Sequence, residues 1–396
     1  MQENTAITKT YDTTTAVVQA AGDVKKNVTI AGLLSDKDGS GYTVSAEYTD
    51  ENAGTNKTVN YTVTLTGDSQ VNHNYALVDE HGTPIAQLSG TGTINKARMT
   101  ANVGKAQRDF DNTSTIHQTD ITGGVTLIGV NGQPLILSPG ALDKINGQYG
   151  KGSEDAFTPD PHAGHKAVKY QGMADALQYM ADHGTTAEKK IAQNYTIADT
   201  AQGTGTITPR ALTLGTVAAQ TKTYDGTTAA DASQFRATLN NVVSGEENSV
   251  TAIAAGAAYN SKDVAGANAV GYTGVALTGA GAGNYTLDKT ALTGIGTIAR
   301  RALTLGAVAA QSKTYDGTRA ADASKFGAVL NNVVAGEENS VKATARGATY
   351  NSKDVATAGT VGYTGVALAG AEAGNYSLAA TTAQGTGTIT KRALTL

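Results

Sequence analysis

The sequence predicts an all-β protein: a tandem array of four small β-sandwich domains, Ig-like or β-grasp-like, forming an elongated rod with a short helix inserted in domain 2. Three observations predict it. The block KTYDGT occurs at 222–227 and again at 313–318, 91 residues later, and its surroundings recur in phase. The segments between turn residues are short and β-rich. Long helix-period segments are missing from the first, third and fourth copies.

The period divides the chain. Ala211-Leu-Thr-Leu214 returns at 302–305 and again at 393–396, Asn240-Asn-Val-Val243 returns at 331–334, and Gly283-Asn-Tyr285 returns at 374–376. A period of this size is a copied domain rather than a solenoid turn. Repeat 1 is divergent, with Lys9-Thr-Tyr11-Asp12, Asn74-Tyr75 and Gly90 to Ile94 standing for the signature, the Asn-Tyr pair and the closing GxGTI. Repeat 2 has Arg108-Asp-Phe110-Asp111, Asn194-Tyr195 and Gly203 to Ile207. The expected domains are 1–97, 98–210, 211–301 and 302–392, with 393–396 opening a further copy, as in a piece of a longer array.

Within repeat 3 the expected strands are Arg210 to Val217, Arg236 to Val243, Val250 to Tyr259, Val270 to Leu277, Tyr285 to Leu287 and Thr293 to Ile298. Asp225-Gly226 and Asn260-Ser261 supply turn chemistry, the glycine tolerating positive φ. The junction Gly296 to Gly306 holds no Ser/Gly/Pro linker, so one repeat's last strand is expected to run into the next repeat's first. Pro209 stiffens the second junction. Strands of about ten residues give about 30–40 Å per domain, and four copies on the order of 120–160 Å.

Composition excludes several functions. With 16% charged residues, a net charge of −4, four Phe and no Trp, the cores are lean and there is no basic footprint for nucleic acid. No apolar run of about 18 residues exists to insert in a membrane. Residues 1–20 lack the basic start and apolar stretch of a signal peptide. Cysteine is absent, which rules out disulfides and thiolate sites. No HExxH, nucleophile elbow or phosphate loop is present, so the chain is expected not to be an enzyme.

Candidate chemistry is sparse. Asp36, Asp38, Ser40 and Glu47 fit calcium-loop spacing, although their flanks read as strands, so a polar hairpin loop competes with a Ca2+ site. Repeat 2 is enlarged over about 123–165 and 172–191. In the second insertion Met173, Leu177 and Met180 recur at helical spacing, either packed on their own sheet or forming a partner-binding surface together with His162 and His165. Asp160, His162, His165 and His183 are a weak zinc pattern beside the simpler reading of solvated loop histidines. Glu246-Glu247, which recurs as Glu337-Glu338, reads as charge keeping a turn soluble. Arg108 at the signature lysine's position excludes a Lys–Asn isopeptide bond there and favours ion pairing with the nearby Asp. The signature tyrosine reads as a core residue, since Phe110 replaces it.

KTYDGT, the later GYTGVAL, the AGNY turn and the GTI-xx-RALTL joint resemble the YDG-type repeats of large secreted bacterial adhesins, the filamentous-haemagglutinin-like proteins exported by two-partner secretion. The resemblance is specific over repeats 3 and 4, fair in repeat 1 and weak in the middle of repeat 2, where Asn112 replaces the signature glycine; in repeat 1 Thr13 does so. It implies an extracellular, cell-surface stalk, a monomeric rod serving adhesion and biofilm formation. The alternative is a module that binds extracellular polysaccharide or a cell-surface receptor through the repeat 2 insertions. It also implies sugar modification at the sequons Asn194, Asn284 and Asn375, against the plainer reading of these asparagines as turn residues.

Overall fold

The computed structural model describes residues 2–3, 7–17, 21–32, 42–65 and 74–395. It is mostly β, with curled sheets and a few short helices. The chain forms two compact units, residues 1–209 and 210–396, each holding two repeats. The expected divisions near 97 and 301 therefore fall inside units.

Repeat 3 defines the common plan. One sheet runs in the order Gln220–Thr223, Ala291–Ala299, Ala269–Thr273, Gly256–Tyr259. The signature-bearing first strand lies parallel to the closing strand, Lys222 opposite Ile298, and the remaining pairs are antiparallel. Arg210–Val217 joins another sheet, between Ala237–Asn240 and Tyr285–Leu287. Repeat 4 reproduces this register residue for residue, Lys313 opposite Ile389. Repeat 1 keeps the four-stranded sheet, with Lys9 opposite Ile94. In repeat 2 the strand Thr100–Asp109 is continuous and links one larger curled sheet, pairing with both Ile121–Ile128 and Thr200–Thr208.

Two expected strands are broken. Val250 to Tyr259 is divided into Thr251–Ile253 and Gly256–Tyr259, because Ala255 N–H turns aside to the carbonyls of Thr273 and Gly274. Val270 to Leu277 breaks at Gly274, whose φ of +62° ends the strand Ala269–Thr273 before Ala276–Thr278. A helix of six residues, Ala21–Lys26, stands in repeat 1, too short to be one of the long helical segments that the sequence excludes there. The single helix expected in the second insertion of repeat 2 is two, Met173–His183 and Thr186–Asn194, the second opened by a capping box between Thr185 and Glu188, and a one-turn helix, Pro139–Leu142, stands in the first insertion.

The core of unit 2 is fed by both of its repeats. Tyr224, Phe235, Tyr259, Val270, Tyr272 and Ile298 of repeat 3 share one apolar cluster with Leu303, Val341 and Tyr376 of repeat 4. A buried glutamine locks the start of each signature strand of unit 2. Gln311 Nε2 donates to the Asp322 carbonyl at 2.9 Å while its Oε1 accepts the Asp322 N–H at 2.8 Å, and Gln220 makes the same pair with Asp231. Gln311→Ala strands a backbone donor and acceptor together. It should lower the stability of unit 2 by on the order of 2 kcal/mol, read as an earlier midpoint in chemical denaturation.

Candidate functional site

The signature is a closed electrostatic turn. Lys222 Nζ pairs with Asp225 Oδ1 at 2.7 Å and donates to the carbonyls of Thr227 and Ala229 at 2.8 and 2.9 Å. It lies over the Tyr259 ring at 5.3 Å from the centroid, a cation–π placement. Asp225 Oδ1 also accepts the N–H and hydroxyl of Thr227, an Asx turn, and Gly226 takes φ +78°. Lys313 repeats these contacts over Tyr350, again at 5.3 Å. Lys9 builds the same turn over Tyr48, and Arg108 does so over Tyr149. The expected Lys–Asp pairing is thus present. Thr13 and Asn112 adopt φ +68° and +63°, so the replacements for glycine preserve the turn.

The signature tyrosine faces the following repeat. In unit 2, Tyr224 meets Tyr376 edge to face, ring centroids 5.3 Å apart. Glu337 bridges the two, accepting from the Tyr224 hydroxyl at 2.7 Å and the Tyr376 hydroxyl at 2.5 Å. Burial, and then the hydrogen bond to Glu337, push the Tyr376 hydroxyl up to about 12. Asn375 Oδ1 accepts the Val264 N–H at 2.9 Å, and its Nδ2 donates to Asp263 and Glu372. Lys262 pairs with Glu372 at 3.2 Å.

Unit 1 repeats the ring pair and the asparagine contact between repeats 1 and 2. Tyr11 meets Tyr195 edge to face at 5.3 Å, and Asn194 Oδ1 accepts the Ala53 N–H at 2.6 Å. Here the charges are exchanged: Glu51 of repeat 1 pairs with Lys190 of repeat 2 at 2.5 Å.

The residues singled out from the sequence fare differently. Asp36, Asp38 and Ser40 lie outside the described residues; Glu47 sits in the strand Tyr42–Tyr48 and accepts from the Thr15 hydroxyl. Met173, Leu177 and Met180 are buried, so this helix turns its apolar face inward and offers none of it to a partner. Asp160 is committed to Lys166 and Lys151 at 2.6 and 2.9 Å, which removes it from any histidine cluster. His165 Nδ1 lies 3.4 Å from the Thr206 hydroxyl, and His183 stacks on Tyr179. Among the described residues no group of His, Asp and Glu is placed to hold a metal ion.

Asn194, Asn284 and Asn375 are all buried. The amides of Asn194 and Asn375 are spent at the joints, and a glycan on either would break its joint. Glu337 corrects the solubility reading of its carboxylate pair, since it is the central acceptor of a joint. The signal was present: the Asn-Tyr pair and the signature tyrosine recur with one period, as two halves of a contact would.

Two outcomes follow from this geometry. Glu337→Ala combined with Tyr224→Phe in a double-mutant cycle should give a coupling of about 1.5–3 kcal/mol, the range for a hydrogen bond to a charged group, read by chemical denaturation. The Lys313 hydrogen bond, aided by the N–H and hydroxyl of Thr318, holds the Asp316 carboxyl at about 2, below its ordinary 3.8. A lowered folded value means that its stabilisation is complete above the ordinary value and is lost as pH falls through about 2. Melting temperatures measured down that range should fall less steeply in Asp316→Asn than in the parent chain.

Comparison with known proteins agrees with the repeat geometry. The YDG domain matches residues 1–84, 208–292 and 299–383. No curated protein matches the chain. Among solved structures, Drosophila N-cadherin EC1-4 overlaps at a TM-score of 0.25 and 8% identity, covering 98% of this chain and 99% of that one. The human desmocollin-1 ectodomain overlaps at 0.16 and 8%, covering 90% and 68%. Overlaps this slight carry no inference to the chain. The sequence match, with its signature turn and Asn-Tyr joint in each unit, places the chain in the YDG domain family.

Proposed function

We propose that this chain is a non-enzymatic spacer: an extended stalk of small β-sandwich domains within a secreted bacterial surface adhesin, holding a binding domain away from the cell in adhesion and biofilm formation. The observation that carries this reading is the use made of the signature. In repeat 3 its cation and carboxylate are spent on closing a turn and its tyrosine on joining the next repeat, which leaves none of the three facing a substrate. Joints of this kind suit reach. They replace flexible linkers with interlocked side chains, and stiff tandem arrays transmit position as well as attachment. The two-partner-secretion resemblance supplies the extracellular setting of the proposal.

A second reading has an observation in its favour. Repeat 2 encloses an apolar hollow of about 140 Å3, lined by Ile116, Ile121, Val125, Leu142, Ile145 and Tyr170, and Ile136 in the same insertion stands 86% exposed. Such features suit an apolar side chain of a cell-surface receptor better than a polysaccharide.

One pair of measurements separates the readings. Small-angle scattering of the chain should give a maximum dimension on the order of 120–160 Å, as four domains in line require; a compact profile would sink the stalk. Shortening the insertion at 129–138 should leave adhesion of the parent bacterium unchanged if repeat 2 is spacer, and abolish it if repeat 2 is the binding module.

A further inference from the structure

The signature tyrosine has two environments in this chain. Tyr11 and Tyr224, each covered by the Asn-Tyr turn of the repeat that follows it, are 7% and 0% exposed, whereas Tyr315 of repeat 4 is 36% exposed. The surroundings of Tyr315 match those of Tyr224 position by position. Lys353, Asp354 and Val355 stand where Lys262, Asp263 and Val264 stand, one period later. Lys353 bonds Asp354 at 2.8 Å as Lys262 bonds Asp263 at 2.7 Å, but no second carboxylate pairs with Lys353 among the described residues. A Cβ on Gly226 would lie 3.0 Å from Val334 Cγ1 and 3.4 Å from Glu337 Oε1, both on the docked repeat. A Cβ on Gly317 would meet nothing within 4 Å. The turn itself is fully formed, with Lys313 closed on Asp316 and Thr318.

We propose that the Tyr315–Lys353–Asp354 face is a preformed socket for one further YDG repeat in tandem, and that the socket selects a repeat with an acidic Asn-Tyr turn. Its occupant carries glutamates where repeat 4 carries Glu337 and Glu372. The first accepts from the tyrosine hydroxyl and the second pairs with Lys353, while the asparagine takes the Val355 N–H and the Asp354 carboxylate. The argument is continuity with the joint already formed inside unit 2. Selectivity follows from the exchanged charges. The joint in unit 1 sets an acid, Glu51, against a basic turn carrying Lys190, whereas Lys353 would face such a turn with like charge. None of this depends on the stalk reading, since a repeat docks by the same contacts in any parent protein.

The test continues the full chain past Leu396 with a second copy of residues 306–390, which completes a fifth repeat. Iodination read by mass spectrometry should label Tyr315 in the original chain and lose most of that labelling in the extended one. Lys353→Glu should lower the melting temperature of the extended chain and leave the original unchanged. Adding Glu→Lys at the appended copy's equivalent of Glu372 should restore the loss. Extending instead with residues 102–208, whose turn is basic, should leave Tyr315 labelled. The proposal fails if Tyr315 labels equally with and without the acidic repeat, or if the charge exchange gives no rescue. Concentration-dependent association of the original chain that is abolished by Tyr315→Ala would assign the face to a second copy and overturn the tandem occupant.

Discussion

Each repeat depends on one cation held against one aromatic face. The ammonium of Lys222 or Lys313, or the guanidinium of Arg108, sits over the ring of a buried sheet tyrosine and gathers the carbonyls of the loop that follows. The cation is a polar contact of the rings of Tyr149, Tyr259 and Tyr350, and in repeat 1 the ring of Tyr48 takes Lys9 while its hydroxyl donates to the Ile7 and Thr93 carbonyls. Lys222 and Lys313 are each the third residue of the strand that pairs in parallel with the closing strand, and Arg108 lies on the strand that does so in repeat 2. One contact therefore ties the first strand, the last strand and the signature loop together. Without it the loop's carbonyls would need water, and the tyrosine that meets the next repeat would lose its mount.

That mount explains why two repeats make one unit. In 210–396 one apolar cluster joins Phe235 and Tyr224 to Tyr376, and the polar groups of the joint, Glu337, Asn375 and the Lys262–Glu372 pair, lie beside the two rings. Domains of about this size bury a modest fraction of their surface alone. Borrowing a neighbour's aromatic ring enlarges the core without lengthening the repeat. Stability in such an array is the sum of intrinsic and nearest-neighbour terms, and here the neighbour term has named atoms.

Much of this was legible in the sequence because the signals are local. The 91-residue phase, the turn at Asp225-Gly226, the strand Tyr285–Leu287 and the Lys–Asp pairing all lie within a few residues of their causes. The broken strands were not, because the break at Ala255 is imposed by the carbonyls of Thr273 and Gly274, at the distant turn where Gly274 ends the strand Ala269–Thr273. The second helix of repeat 2 was legible in principle: Thr185 and Glu188 have capping-box spacing. The joint was not legible from one repeat. Tyr224 and Glu337 are 113 residues apart, and Glu337 looks like any solvated carboxylate until the neighbouring repeat is placed beside it.

The exchanged polarity of the two joints bears on how such a gene can grow or shrink. The ring pair and the asparagine keep their places at both joints, so unequal crossing-over that inserts or deletes whole repeats would restore those two contacts at each seam. The charged pair is the exception, being Glu51 with Lys190 at one joint and Lys262 with Glu372 at the other. Recombination between repeats of unlike polarity would set like charges face to face at the new seam. A repeat that presents a lysine at this place therefore suits an acidic neighbour and one that presents a glutamate suits a basic one, so the order of repeats is constrained as well as their number.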